Sequence, residues 1–287
     1  MGIGFEVMES VQKPFWVPVE STNTLCVGQI VTYGKPINTY TGGVVVMPAA
    51  AGVSDTTNLL IPFGVIVGTS DTADAEKYTA LSTALITPKQ ITGVDTAAAQ
   101  VARQNRMVEG YIAKGDQQAM VQVVRITSDT VLKGYFRNSA TVGTTTILTK
   151  TTDAATYTTS AITFAATMGF TPVANMATTY CVVGTNAGLY RIRTDTSATV
   201  STYTRQWPVT PGAADTFKSV NMRPGTSRMQ LDTTYGMWID NTAALTSHYY
   251  TVQVYDIDLS QDAGNEWVTF SFMPCHFLAA AAARANT

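Results

Sequence analysis

Between residues 15 and 69, short apolar runs alternate with turn formers: TLCVGQIVTYG, then GGVVVMPA, then LLIPFGVIVGTS. Each run is four to eight residues long, rich in Val and Ile, and bounded by Gly, Pro, Asn or Asp, the punctuation of β-strands. Three or four strands are predicted here, with Gly28, Gly34 and the Gly42, Gly43 pair at bulges or turns, where positive φ is tolerated. Strand character resumes over residues 106–126 (RMVEGYIAKGDQQAMVQVVRI), and the KGD at 114–116 predicts a hairpin that closes a first sheet system. Past residue 130 the runs continue as TTTILTKTTDAATYTTSAITFAA, TTYCVVGTNAGLYRIRTD and ATVSTYTRQWPV. The end of the chain returns to clear alternation, HYYTVQVYDIDL and EWVTFSFMPCHFL, joined by SQDAGN, which predicts a last hairpin.

Two segments break the strand pattern. Residues 71–84 place Asp71 at an N-cap before Ala and Leu, with Pro88 as a stop, and residues 95–104 (DTAAAQVARQ) are short and Ala-rich. Each reads as a short helix or as an irregular excursion between strands. The predicted fold is therefore mainly β: an N-terminal β-barrel-like domain plus a second Thr-rich β domain, with few short helices. The expected organisation is an extended N-terminal arm at residues 1–20, a barrel-like domain at 21–130 and a Thr-rich β-sandwich or barrel domain at 131–287. The boundary falls in the stretch SDTVLKGYFRNSATVG, and the terminal AAAAARANT reads as a frayed tail. No fixed repeat of 20–50 residues is present, which argues against a solenoid or propeller.

Composition sharpens the β reading. Charged residues make up 13 % of the chain, against about 25 % in an average soluble domain. Threonine, roughly one residue in six, supplies the missing surface polarity while favouring pleated structure. The formal charge of −2 and the lack of any Lys/Arg run exclude the electrostatic footprint of a phosphate-backbone binder, so no nucleic acid partner is expected. Cys26, Cys181 and Cys275 are odd in number and far apart, unlike a disulfide framework. Glu6 and Glu9 stand where a secretion signal needs basic and apolar stretches, and no run approaches the ~20 apolar residues of a membrane span. The expectation is a soluble chain made in a reducing cytoplasm, with no membrane partner.

Chemistry is sparse. His248 and His276 are the only imidazoles, and neither sits in a nucleophile or zinc-protease motif. His276 follows Cys275 directly, and neighbours on a strand point to opposite faces, a poor arrangement for joint catalysis or metal binding. No phosphate-cradling glycine loop occurs, so no catalytic residue and no cofactor is expected. The most interesting acidic cluster is YDIDLSQDAGNEW, where Asp256 and Asp258 share a strand face and Asp262 and Glu266 follow in and after the loop. Asp256, Asp258 and Asp262 are candidate calcium ligands by their hard oxygens, against the simpler reading of a solvated hairpin end. It is no EF-hand, because Gln261 and Trp267 occupy the slots that need Gly and Glu. Tyr249, Tyr250, Tyr255, Trp267, Phe270 and Phe272 crowd the same hairpin and must divide between core and surface, where outward rings would suit sugar stacking or subunit contact.

LCVGQIVTYG at 25–34, PFGVIVGT at 62–69 and AKGDQQAMVQVVRI at 113–126 together resemble the β-barrel decoration, or cement, proteins of tailed-phage capsids. The resemblance covers about the first 130 residues; NAGLYRIRTDTSATVSTYTRQWPV is similar only in texture to Thr-rich domains of virion proteins. It implies a non-catalytic protein on the capsid exterior that binds the viral major capsid protein as a homotrimer. It assigns no individual site residue. Pro14 and Pro18 would suit an extended binding arm over residues 1–19, the alternative being an edge strand. A main-shell subunit would need a long spine helix, which the pattern does not offer. The alternatives are a head-fibre, tail-tube or receptor-binding virion protein, and a secreted carbohydrate-binding β-module or glycosidase.

Overall fold

The computed structural model describes residues 4–18, 24–33, 46–49, 53–54, 62–69, 79–82, 85–87, 90–92, 120–137, 147–151, 154–164, 176–195, 197, 199–232, 236–241 and 248–274. Among them the protein is all β, with no helix and with one sheet curled into a half-barrel. It divides into two compact units. The N-terminal unit is Ile3–Lys133 with Thr233–Met237 and Phe272–Thr287; the C-terminal unit is Gly134–Asp232 and Trp238–Ser271, with Met1–Gly2.

The N-terminal unit begins with β1 (Glu6–Glu9), β2 (Phe15–Pro18), β3 (Thr24–Cys26), β4 (Ile30–Tyr33), β5 (Val46–Pro48), β6 (Val53–Ser54) and β7 (Gly64–Thr69). It continues with β8 (Thr79–Ser82), β9 (Leu85–Thr87), β10 (Gln90–Thr92), β11 (Met120–Arg125) and the first residues of β12 (Val131–Tyr135). Its main sheet has the order β2-β11-β7-β4-β5, with Val17, Leu25, Val31, Phe63, Ile66, Val121 and Val123 as the buried cluster. Gly64 explains part of the FGV motif: a Cβ there would lie 2.1 Å from Val123 Cγ1, so only glycine lets β7 and β11 approach. The register slips between Gln122 and Val123, leaving Val67 as the extra residue of a bulge and half exposed.

Within the expected arm, β1 pairs with β12 and β2 pairs with β11 at the sheet edge, so residues 6–9 and 15–18 are edge strands. The first helix candidate is corrected in part. Thr79–Ser82 is a strand that pairs with Leu85–Thr87, because cross-strand pairing outweighs the helix preference of Ala and Leu. Residues 95–104, the KGD turn at 114–116, Gly34, Gly42, Gly43 and the terminal tail lie outside the described residues.

The C-terminal unit holds β13 (Ile147–Thr151), β14 (Ala154–Tyr157), β15 (Ala161–Phe164), β16 (Ala177–Val183), β17 (Tyr190–Asp195), β18 (Val200–Tyr203), β19 (Thr216–Val220), β20 (Gly225–Met229), β21 (His248–Asp258) and β22 (Trp267–Phe272). Seven form a sheet of order β13-β19-β16-β17-β18-β15-β14. Its inner face buries Ile162, Phe164, Cys181, Tyr203, Trp207 and Phe217, with the Trp207 ring 5.3 Å from those of both Tyr203 and Phe217. The same face buries an ion pair, Arg193 with Asp195. Threonine serves the interior as well as the surface: Thr178 donates to Met222 O (2.7 Å) and Thr179 bonds Ser219 Oγ (2.6 Å), both fully inside. These two hydroxyls are accepted in the core because each finds a partner.

β20, β21 and β22 lie side by side, and the alternation read from the sequence holds: Tyr250, Val252 and Val254 are buried on β21, Val268 and Phe270 on β22. Tyr255 faces outward and fixes its hydroxyl on Ser271 Oγ (2.9 Å). Asn241 braces β20 from below, accepting from Gln230 N and donating to the Asn221 and Arg228 carbonyls.

Candidate functional site

Both features that stand out as places of contact are loop ends of the C-terminal unit. The first is the acidic turn between β21 and β22. Asp258 Oδ1 accepts from Ser260 N (2.8 Å) and Ser260 Oγ (2.5 Å), and its Oδ2 accepts from Gln261 Nε2 (2.7 Å). Burial alone would raise its pKa, but these donors and the Lys218 charge outweigh it, so the carboxyl lies below the ordinary Asp value. Asp256 is exposed and takes only the Ile257 amide, and Asp262 is exposed on a turn closed by Asn265 N to Asp262 O (2.9 Å).

Underneath, Glu266 is fully buried. Its Oε1 accepts from Lys218 Nζ (2.7 Å) and its Oε2 from Gly264 N (2.7 Å), while Lys218 Nζ also donates to Gln261 O (2.6 Å). The turn is thus pinned from inside, with Gly264 at φ 86° supplying its left-handed step. Among the described residues, no three His, Cys, Asp or Glu side chains are grouped so as to hold a metal ion, and Asp256, Asp258 and Asp262 form no such trio. The Asp258 oxygens are instead occupied by the loop's own donors.

The second is the β16–β17 turn. A bulge in β16, with Cys181 opposite Phe217 and Val183 opposite Thr216, swings Val183 outward. Gly184 follows at φ 122°, and a Cβ there would collide with Asp215 Oδ1 at 1.9 Å. Asp215, itself buried, accepts from Thr185 N (3.4 Å) and Gly212 N (3.1 Å). Asn186 is buried and grips residue 209 in both directions: Nδ2 donates to Val209 O (2.9 Å), and Val209 N donates to Oδ1 (3.2 Å). Two loops, 183–190 and 204–214, are thereby locked together.

What they present is apolar. Val183 is 55 % exposed, Leu189 37 %, Tyr190 51 % and Val209 50 %. On the sheet face opposite Tyr190, Arg191 stacks over the Trp207 ring (5.3 Å) and donates to Gln206 O and Tyr190 O, and Arg205 is exposed. Burial, then the charge of nearby Arg205, pushes the Arg191 pKa down. The sequence reading passed over this tip. Its one signal was the TNAG turn before LYRIR, which reads as any hairpin.

The thiols described are quiet. Cys26 and Cys181 are free and buried, and burial, aided by the Asp215 charge, pushes Cys181 up to about 11, far from a reactive thiolate at neutral pH. The His248 side chain, Cys275 and His276 lie outside the described residues. No family model, curated protein or solved structure matches this chain.

Proposed function

We propose that this chain is a non-catalytic structural protein of a virus particle, a decoration protein that binds the major capsid lattice on the shell exterior. The observation that carries the reading is the β16–β17 tip: four large apolar side chains held out to solvent by buried Asn186 and Asp215 on an all-β scaffold. Apolar surface fixed before contact loses little entropy on binding, and apolar side chains held out in this way suit protein contacts. The resemblance of the first 130 residues to capsid cement proteins supplies the partner class. Low charge, 13 % of residues, lessens repulsion between closely spaced copies.

The test is co-sedimentation of purified chain with empty expanded shells of the virus that encodes it. Saturable binding, lost in Val209→Asp with the fold intact by circular dichroism, is the expected result. A chain that stays in the supernatant at every ratio overturns it. Tyr190 and Tyr255, each about half exposed, also favour a glycan-stacking reading. A glycan array separates the two, since specific sugar binding without shell binding selects the second.

A further inference from the structure

The few charges of the C-terminal unit are distributed in a way that selects a partner for the apolar tip. Among the described residues three ion pairs are closed internally: Arg137 with Asp240 (2.7 Å), Arg193 with Asp195, and Lys218 with Glu266 (2.7 Å). Arg228 is engaged over the Tyr249 ring at 4.3 Å. What remains at the two loop ends is of opposite sign. Arg191 and Arg205 flank the apolar tip, and neither loop there carries an exposed acid, Asp215 being buried. The β21–β22 end carries Asp256, Asp258 and Asp262, and Lys218, the cation beneath it, is committed to Glu266.

We infer that the tip docks a second copy of this chain, receiving the partner's acidic β21–β22 end. Arg191 and Arg205 would face the aspartates, with exposed Leu189 and Val209 covered beside them. Where both copies dock tip to acidic end in the same pair the contact is isologous and stops at a dimer; otherwise it is heterologous and closes into a ring or extends as a filament. Opposite fields fix the register, and the small apolar area makes each contact weak and dependent on concentration. Both ends are rigid, so docking needs no rearrangement of either loop. The inference stands apart from the shell reading, because it concerns the chain alone in solution.

Sedimentation velocity of the full chain at rising concentration, in low and high salt, tests it. Wild-type protein is expected to self-associate and to dissociate as salt rises. Arg205→Glu and Asp262→Lys should each weaken association about tenfold or more, since each places like charges opposite one another. Combined in one chain, R205E and D262K restore attraction and should restore association. Lys13→Glu, the same charge change at an exposed position of the N-terminal unit, should leave it unchanged. Circular dichroism confirms that each variant is folded. A chain that is monomeric at every concentration overturns the inference, as does association indifferent to salt and to both reversals, equal weakening by Lys13→Glu, or failure of the swap to restore. If the chain self-associates as described but ignores shells, only the shell reading fails.

Discussion

At the β16–β17 tip, buried Asn186 and Asp215 grip the backbone at residues 185, 209 and 212; at the β21–β22 end, buried Lys218 and Glu266 grip it at 261 and 264. The device is the same, a polar side chain drawn inside to satisfy loop amides and carbonyls that would otherwise be stranded. The surfaces differ: one end shows valine, leucine and tyrosine flanked by arginine, the other aspartate. In each case the polar residues most tightly placed are structural, and the residues free to meet a partner are their exposed neighbours. The ionic grip and the amide grip also differ in cost when broken, which gives a way to separate them.

The largest effect is expected at the ionic grip. Lys218→Ala strands the Glu266 carboxylate in the interior and should cost about 3 kcal/mol or more, read by urea denaturation. Lys218→Met with Glu266→Leu removes both charges and should recover most of that loss. If the single variant costs no more than the double, the pair is not buried as described.

At the tip, two variants should cost somewhat less. Gly184→Ala meets both the positive φ and the Asp215 carboxylate and should destabilise by about 2 kcal/mol. Asn186→Ala leaves the Val209 amide and carbonyl without their partner and should cost about 2 kcal/mol, with faster hydrogen exchange at the Val209 amide as the specific signature. Unchanged exchange there would mean that the two loops are not joined through Asn186.

The strands were legible where one face is buried. LCVGQIVTYG, PFGVIVGT and AMVQVVRI became β3, β4, β7 and β11, and the last hairpin kept its alternation of buried Tyr250, Val252 and Val254. Pattern reports a periodic burial, and these residues have one. The grips were not legible, because Lys218 and Glu266 are 48 residues apart and Asn186 and Val209 are 23 apart, and no local period links them. Asp258 shows the same limit at short range. Its spacing to Asp256 and Asp262 suggested shared metal oxygens, but Ser260 and Gln261, the residues between, are what it holds. Spacing says which side chains can meet, and only the turn geometry decides which do.

Asp258 also gives the acidic end a pH dependence. Its folded pKa is depressed, so the stability it contributes is fully present above the ordinary Asp value of 3.8 and is lost as pH falls through the lower folded value. Asp258→Asn should flatten that part of the acid-unfolding curve. An unchanged acid limb would show that the Ser260 and Gln261 donors do not favour the charged form.

The smallest effect on stability is expected at Val209→Ser, and that is the sharpest use of the comparison. Its side chain is half exposed, and what fixes the loop is its backbone, held by Asn186, which serine retains. Folding stability should therefore change by no more than about 0.5 kcal/mol. Contact made through the exposed apolar surface should fall, because a hydroxyl now has to be desolvated where a methyl pair was covered. The two readouts come apart only if grip and surface are separate functions of the same residue. A variant that loses stability and contact together would instead mean that Val209 packs within the protein, and that the tip is part of its core.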